Sequence, residues 1–417
     1  MSEDWDTKQK CIADISGWRE RFPVVHELAV SGDGEKIAAV VEIGQKQVAP
    51  CLNGDLWHDT YERAWSLRFT PDARLACAVL RDFAWTVAVD EVPWEQRYDY
   101  VWNMTFSPEG RDIAVNIKEE NEFGVSLNGR AWSHRFPEAR DLAISPDGRK
   151  TASRVKVKRI AEQDIFGFAE KIISVAVNGE KWNDNFLSVS GMTFSNDSTG
   201  VAAGIRTDRM EFSVSVDGKP WHERFLQVWE PVFHPHCKDV IAPVKTEWGW
   251  TLARNGEIIW NRRFTQLWGQ RWSPDGERIA AVVATKFGDW TIAVDGLPWK
   301  RTFSDAVLFP VFSPDGSRVA AIVKEKNRYT IAVDGKPWEK DFDMIWDPLF
   351  SPDGRKAAAR AEKNGRFFLV INGKTGSESY EMLWDPVFSG DGEKILLRYI
   401  EGGRYYRRIS LVGEYQC

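Results

Sequence analysis

Cysteine is sparse in this chain and nowhere paired. Cys11, Cys51, Cys77, Cys237 and Cys417 are widely scattered and form no Cys-x-x-Cys. The usual spacing for an iron–sulfur cluster, a c-type haem or a structural zinc is therefore missing. The odd count suits reduced thiols in a reducing compartment. Cys51 and Cys77 fall in or beside strand patterns, where a thiol serves as a small core hydrophobe. No apolar run approaches the ~18 residues of a membrane span. The opening stretch, Met1 to Lys10, is polar and charged, unlike a secretory leader. A soluble cytoplasmic protein is the expectation. Charge of one sign is not concentrated either: 55 basic and 61 acidic residues are well mixed, for a net charge of −6. That excludes a basic block for nucleic acid and an acidic tail. Catalytic signatures are missing too. There is no Gly-x-Ser-x-Gly, no His-Glu-x-x-His, no Walker loop and no dinucleotide fingerprint. The expectation is a protein that is not an enzyme and holds no cofactor.

What the sequence does contain is one unit repeated along 417 residues. Its clearest copy is Ile345-Trp346-Asp347-Pro348-Leu349-Phe350-Ser351-Pro352-Asp353-Gly354. A short strand runs into Ser-Pro-Asp-Gly. Pro presets φ, Ser or Asp bonds the local backbone, and Gly accepts positive φ, which together make a tight turn. The anchor in the Phe350 slot recurs as Val30, Phe69, Phe106, Ile144, Phe194, Phe233, Trp272, Phe312 and Phe388. Anchors lie 37 to 40 residues apart, except for 50 between Ile144 and Phe194. About 22 residues after each anchor comes a hairpin turn and a Trp, as in Val333-Asp334-Gly335-Lys336-Pro337-Trp338. Asp-Gly and Asn-Gly between alternating apolar runs are strong hairpin signals. A period near 40 with four short strands per unit marks a propeller blade.

The pattern predicts an all-β fold: a single closed propeller of about ten four-stranded blades, with two smaller propellers as the alternative. Residues 1–13 read as an N-terminal extension and 14–417 as the propeller. The fourth repeat carries an insertion at about 149–177. The segment Asp14 to Phe22 resembles Val216 to Phe225, an outer strand. The tenth unit stops after Val412-Gly413, where an outer strand should follow. The N-terminal segment, placed beside Ile409 to Val412, is expected to close the ring and remove an exposed edge.

Tryptophan is over-used, at 21 residues. One family opens the outer strands, from Trp57 to Trp338, and is expected to pack between adjacent blades. A second sits four before the anchor and includes Trp65, Trp102, Trp229, Trp268, Trp346 and Trp384. Aromatics partly exposed at the face of a ring would anchor a protein partner. The next slot holds Glu27, Glu230, Asp347 and Asp385 among ten residues that line the inner strands. Read functionally, Glu27, Asp347 and Asp385 hold a cation or a basic partner loop. Read structurally, they cap backbone N–H groups beside Pro348 and Pro386. The insertion adds Lys156, Lys158 and Arg159 as candidate partner contacts on a loop face. His234-Pro235-His236-Cys237 is the one metal-like cluster. Its central proline and the want of a fourth ligand argue against zinc.

The Phe-Ser-Pro-Asp-Gly repeat, over about residues 14 to 413, resembles that of WD40-like and TolB-type propellers. The tryptophan load, the period and the cytoplasmic character resemble a narrower group: the tryptophan-rich WD40-like subunits, of TmcD type, in the Tmc membrane redox complex of sulfate-reducing bacteria. That resemblance implies a cofactor-free scaffold, cytoplasmic and peripheral on the inner membrane through its partners. Those partners would be a cytoplasmic iron–sulfur subunit of heterodisulfide-reductase type, a membrane cytochrome b and, indirectly, a periplasmic multihaem cytochrome c. A small-molecule or carbohydrate-binding propeller is the alternative.

Overall fold

The computed structural model describes residues 4–160 and 170–415. Cys417 and residues 161–169 of the predicted insertion lie outside them. Ten antiparallel sheets follow one another along the chain, each ordered from an inner to an outer strand. In the ninth, an inner strand in two pieces (Met344–Ile345 and Leu349–Phe350) pairs with Ala357–Lys363, then Arg366–Ile371, then Lys374–Thr375. The second strands read as near-continuous apolar runs because both their faces are covered. Ile37–Gly44 is buried over its first five residues, and Ile279–Lys286 over its first six. Alanine recurs in these strands, as at Ala38, Ala39, Ala280 and Ala281, where a neighbouring sheet presses close.

Ten clusters of buried side chains fill the ten gaps between neighbouring blades. One joins the last blade to the first, through Ile400 and Tyr405 against Ile37, Ala39 and Cys51. Another joins blades five and six, through Val214 and Trp221 against Val240 and Ala242. The chain is thus one ring of ten blades, and the alternative of two smaller rings is set aside.

Ring closure corrects one expectation. The closing strand is Gln9–Asp14, which pairs with Arg404 to Arg408 of the last blade. The segment that resembled an outer strand is instead a short helix, Ile15–Arg21, capped by Asp14, whose carboxylate accepts from the Gly17 N–H at 3.2 Å. Its aromatic pair keeps the expected places. Trp18 and Phe22 are buried between the last blade and the first. A Cβ on Gly54 of the first blade would lie 3.3 Å from the Trp18 indole nitrogen. The repeat therefore preserved the packing of this segment and not its backbone.

The same knob and hole seal most other gaps. The Trp at the start of each outer strand packs on the hairpin glycine of the next blade, as Trp299 does on Gly335 and Trp338 on Gly373. Blade two lacks that glycine and holds its turn with Asp90 and Glu91 in left-handed conformations, φ 44° and 74°. In blade nine Gly376 stands where the Trp would be, and Tyr415 from the C-terminal turn Val412–Tyr415 fills the space.

The Ser-Pro-Asp-Gly turns sit on one face of the ring. In the ninth blade Gly354 N–H donates to Ser351 O at 2.8 Å, with Gly354 at φ 69°. Ser351 Oγ donates to Asp353 and accepts the Lys356 N–H at 3.0 Å. A cation one or two residues past the turn then reaches the carbonyls of the next blade's turn. Arg74, Lys150, Arg278, Arg318 and Lys356 all do this. Blade six uses histidine for the same purpose. His234 Nε2 lies 3.1 Å from Gly276 O and His236 Nε2 lies 2.9 Å from Pro274 O. That is the role of the His-Pro-His-Cys segment in this fold. No group of three or more metal-ligating side chains gathers among the described residues.

Candidate functional site

The inner strands line the channel, and the slot after the second Trp family has two backbone forms. In five blades without a following proline the residue is left-handed and makes a bulge: Ser66, Asn103, Asp141, Gly191 and Gly269 have φ between 52° and 62°, while Glu27, followed by Leu28, does not. Where proline follows, that conformation is disfavoured. The strand then breaks in two around Glu230, Phe309, Asp347 and Asp385.

These slots do not form a ring of free carboxylates. Asp385 is paired with Arg360 of the preceding blade, Nε to Oδ1 2.7 Å. The Arg360 guanidinium lies 4.2 Å over the Trp346 ring, a cation–π contact. Burial pushes the Arg360 pKa down, and Asp385 opposes that shift. Neither Asp347 nor Asp385 accepts a backbone N–H among the described residues, so the capping role expected for them is not how they are used. Glu27 and Trp384 do come together, in a channel cavity of about 1210 Å³ that also exposes Trp65, Ser66, Asn103 and Asp141. Trp229 and Glu230 line a separate pocket with Trp268 and Phe309. The insertion residues have local partners. Lys158 pairs with Glu170 at 2.7 Å, and Arg159 donates to Asn121 O of blade three at 3.1 Å. Lys156 is half-buried in the strand Thr151–Lys156.

Sequence reasoning missed a set of arginines that are partly or fully buried. Arg154, Arg360 and Arg398 occupy one register position in the second strands of blades four, nine and ten, opposite Arg140, Trp346 and Trp384. Most other blades place a small or apolar residue there, such as Val40, Ala78 or Val282, and blade three places Asn116. Arg154 pairs with Asp141 at 2.8 Å. Arg398 donates to Ser31 O across the ring closure and to Asp385 O, at 2.9 and 2.6 Å. A cation inside an otherwise apolar strand was the available signal.

The inner tryptophans are braced from behind. Trp65 stacks on Trp85, Trp229 on Trp250, and Trp384 meets Tyr405 edge-on. Trp65 and Trp229 stay about two-fifths exposed. The second-to-third strand turns lie on the face opposite the Ser-Pro-Asp-Gly turns, because the sheets are antiparallel meanders. On that face Phe83, Met210, Trp248 and Phe287 stand out at turn tips, 91, 65, 81 and 96% exposed. Met210, Trp248 and Phe287 belong to consecutive blades. The same turn elsewhere holds Lys46, Asn121, Asn327, Asn364 or Gly402.

No known family profile matches the chain, and no curated protein matches it. Two solved structures overlap with it at 12% identity. One is a crystal structure of the eukaryotic initiation factor, covering 78% of this chain and 89% of that one at a TM-score of 0.49. The other is the Dos1 propeller, covering 97% and 95% at a TM-score of 0.35. At that identity neither says what this chain binds. No helix among the described residues is long and apolar enough to cross a membrane.

Proposed function

We propose that this propeller is a non-catalytic interaction scaffold. The observation that supports the reading most is the arc of apolar turn tips. Met210, Trp248 and Phe287 project from three adjacent blades on one face. Large aromatics left in water at matched positions are the side chains that anchor partners. A ring held by ten buried interfaces keeps such tips at fixed spacing, so little ordering cost is added on docking. The resemblance of the sequence to TmcD-type subunits supplies the setting: a membrane-associated electron-transfer complex in which the scaffold docks an iron–sulfur subunit of heterodisulfide-reductase type beside a cytochrome b. The test is affinity isolation from native membranes with mass spectrometry of the retained proteins. Those redox subunits should be recovered with the wild type and lost from a W248A/F287A variant. Recovery of the wild-type chain alone, or equal recovery with the variant, would sink the reading.

A further inference from the structure

Blades six, seven and eight together build a small pocket on the channel wall, of about 310 Å³. Its walls are the rings of Trp229, Trp268 and Phe309, one from each blade. Each tryptophan is held in place from behind. Trp229 lies 5.6 Å from Trp250 with the rings 10° from parallel, and Trp268 lies 5.0 Å from Trp290 at 64°. Phe309 is placed by an absence. Gly269 is left-handed, φ 62°, and a Cβ there would come within 2.4 Å of Phe309 Cδ1. The floor is fixed by Gln270, which is 3% exposed and donates from Nε2 to Glu230 O at 2.6 Å.

Two opposite charges border these rings. Glu230 and Arg271 both line the pocket. Both are exposed, and neither makes an ion pair among the described residues. The Arg271 guanidinium lies 5.7 Å over the Phe309 ring. At two other inner-strand slots the carboxylate is cancelled, Asp385 by Arg360 and Asp141 by Arg154. Here Glu230 and Arg271 both line an aromatic pocket, the Glu230 stem resting on Gly191 of blade five, where a Cβ would lie 2.3 Å from its Cγ.

The geometry points to a binding site for a small zwitterion that joins an organic ammonium to a carboxylate. The ammonium sits against the faces of Trp229 and Trp268, where the ring quadrupole attracts a cation, with Glu230 beside it. The carboxylate faces Arg271, whose planar fork matches it. The volume falls at the lower end of small-molecule pockets, on the order of 300 Å³, which excludes larger ligands. The inference is independent of the scaffold role, since the pocket opens to the channel wall and the proposed docking tips are turn apices.

Calorimetric titration of the full chain with glycine betaine tests it. Saturable binding is expected, with none to acetate and weaker binding to tetramethylammonium. E230Q and R271Q should each weaken betaine about tenfold, the scale of one lost cation–π or charge contact in a half-exposed site. R271Q should leave tetramethylammonium unchanged. W268F, which keeps an aromatic face and the fold, should retain betaine binding, whereas W268A should lose it. Absence of saturable betaine binding overturns the proposal. So does betaine affinity unmoved by E230Q, or tetramethylammonium binding as tight as that of betaine.

Discussion

Aspartates of six repeat turns share a depressed pKa. Asp197 and Asp315 are held down at about 2, first by the hydroxyls of Ser195 and Ser313. Asp147, Asp275, Asp353 and Asp391 are lowered for the same first reason. A carboxylate with a depressed folded pKa stabilises the fold above its unfolded value and loses that contribution as pH falls through the folded one. The thermal midpoint should therefore drop between about pH 4 and pH 2, read by circular dichroism. S313A should flatten part of that drop. The hairpin glycines make a second residue-scale prediction. Gly335 has φ 76°, and a Cβ would lie 3.1 Å from Trp299 Cγ. G335A should cost more than about 1 kcal/mol, because it adds left-handed strain to crowding between blades. Equal denaturant midpoints for variant and wild type would contradict that packing.

Among the elements, the closing strand is the one the sequence misplaced. The resemblance of Asp14 to Phe22 to an outer strand came from Trp18 and Phe22, which keep their positions four residues apart. The residues between them fold as a helix, because Asp14 caps it and the paired backbone had already been supplied by Gln9–Asp14. Side-chain spacing of four suits a helical turn as well as the broken outer strands of this fold, so pattern alone left the backbone open. The register offers a direct check. Cys11 lies opposite Tyr406, and cross-strand Cα atoms about 4.5–5.5 Å apart fall within disulfide range. Y406C should form a disulfide with the native Cys11 on mild oxidation, seen as a mass loss of two hydrogens. A variant that keeps two free thiols would show that the strand pairs elsewhere. Inner strands teach the complementary lesson. The proline after Glu230, Phe309, Asp347 and Asp385 was legible, but the segment around it read as one short strand, and the structure shows that strand broken in two.

For the whole molecule, closure depends on both ends of the chain. The first strand completes the last blade, while Tyr415 fills the space that Gly376 leaves in blade nine. Tyr415 is 7% exposed and packs with Tyr380 and Tyr399. Y415A should cost about 3 kcal/mol, the scale for deleting a buried aromatic ring, and lower the denaturant midpoint. An unchanged midpoint would mean the gap is sealed without it. Closure also explains why the candidate sites were only partly legible. Glu27 and Trp384 share one cavity although 357 positions separate them. Arg360 and Asp385 belong to different blades, so no reading within one repeat pairs them.

Local chemistry in the sequence was enough for the blades. Proline, glycine and aspartate set the turns, alternating apolar runs set the strands, and the period near 40 set their number, because each of these forces acts over a few residues. The tertiary structure alone decided which strand closes the ring, which carboxylates are neutralised and which aromatic rings face one another across a pocket. Those outcomes depend on side chains brought together from neighbouring blades, and proximity across a closed ring is not written in the order of the chain.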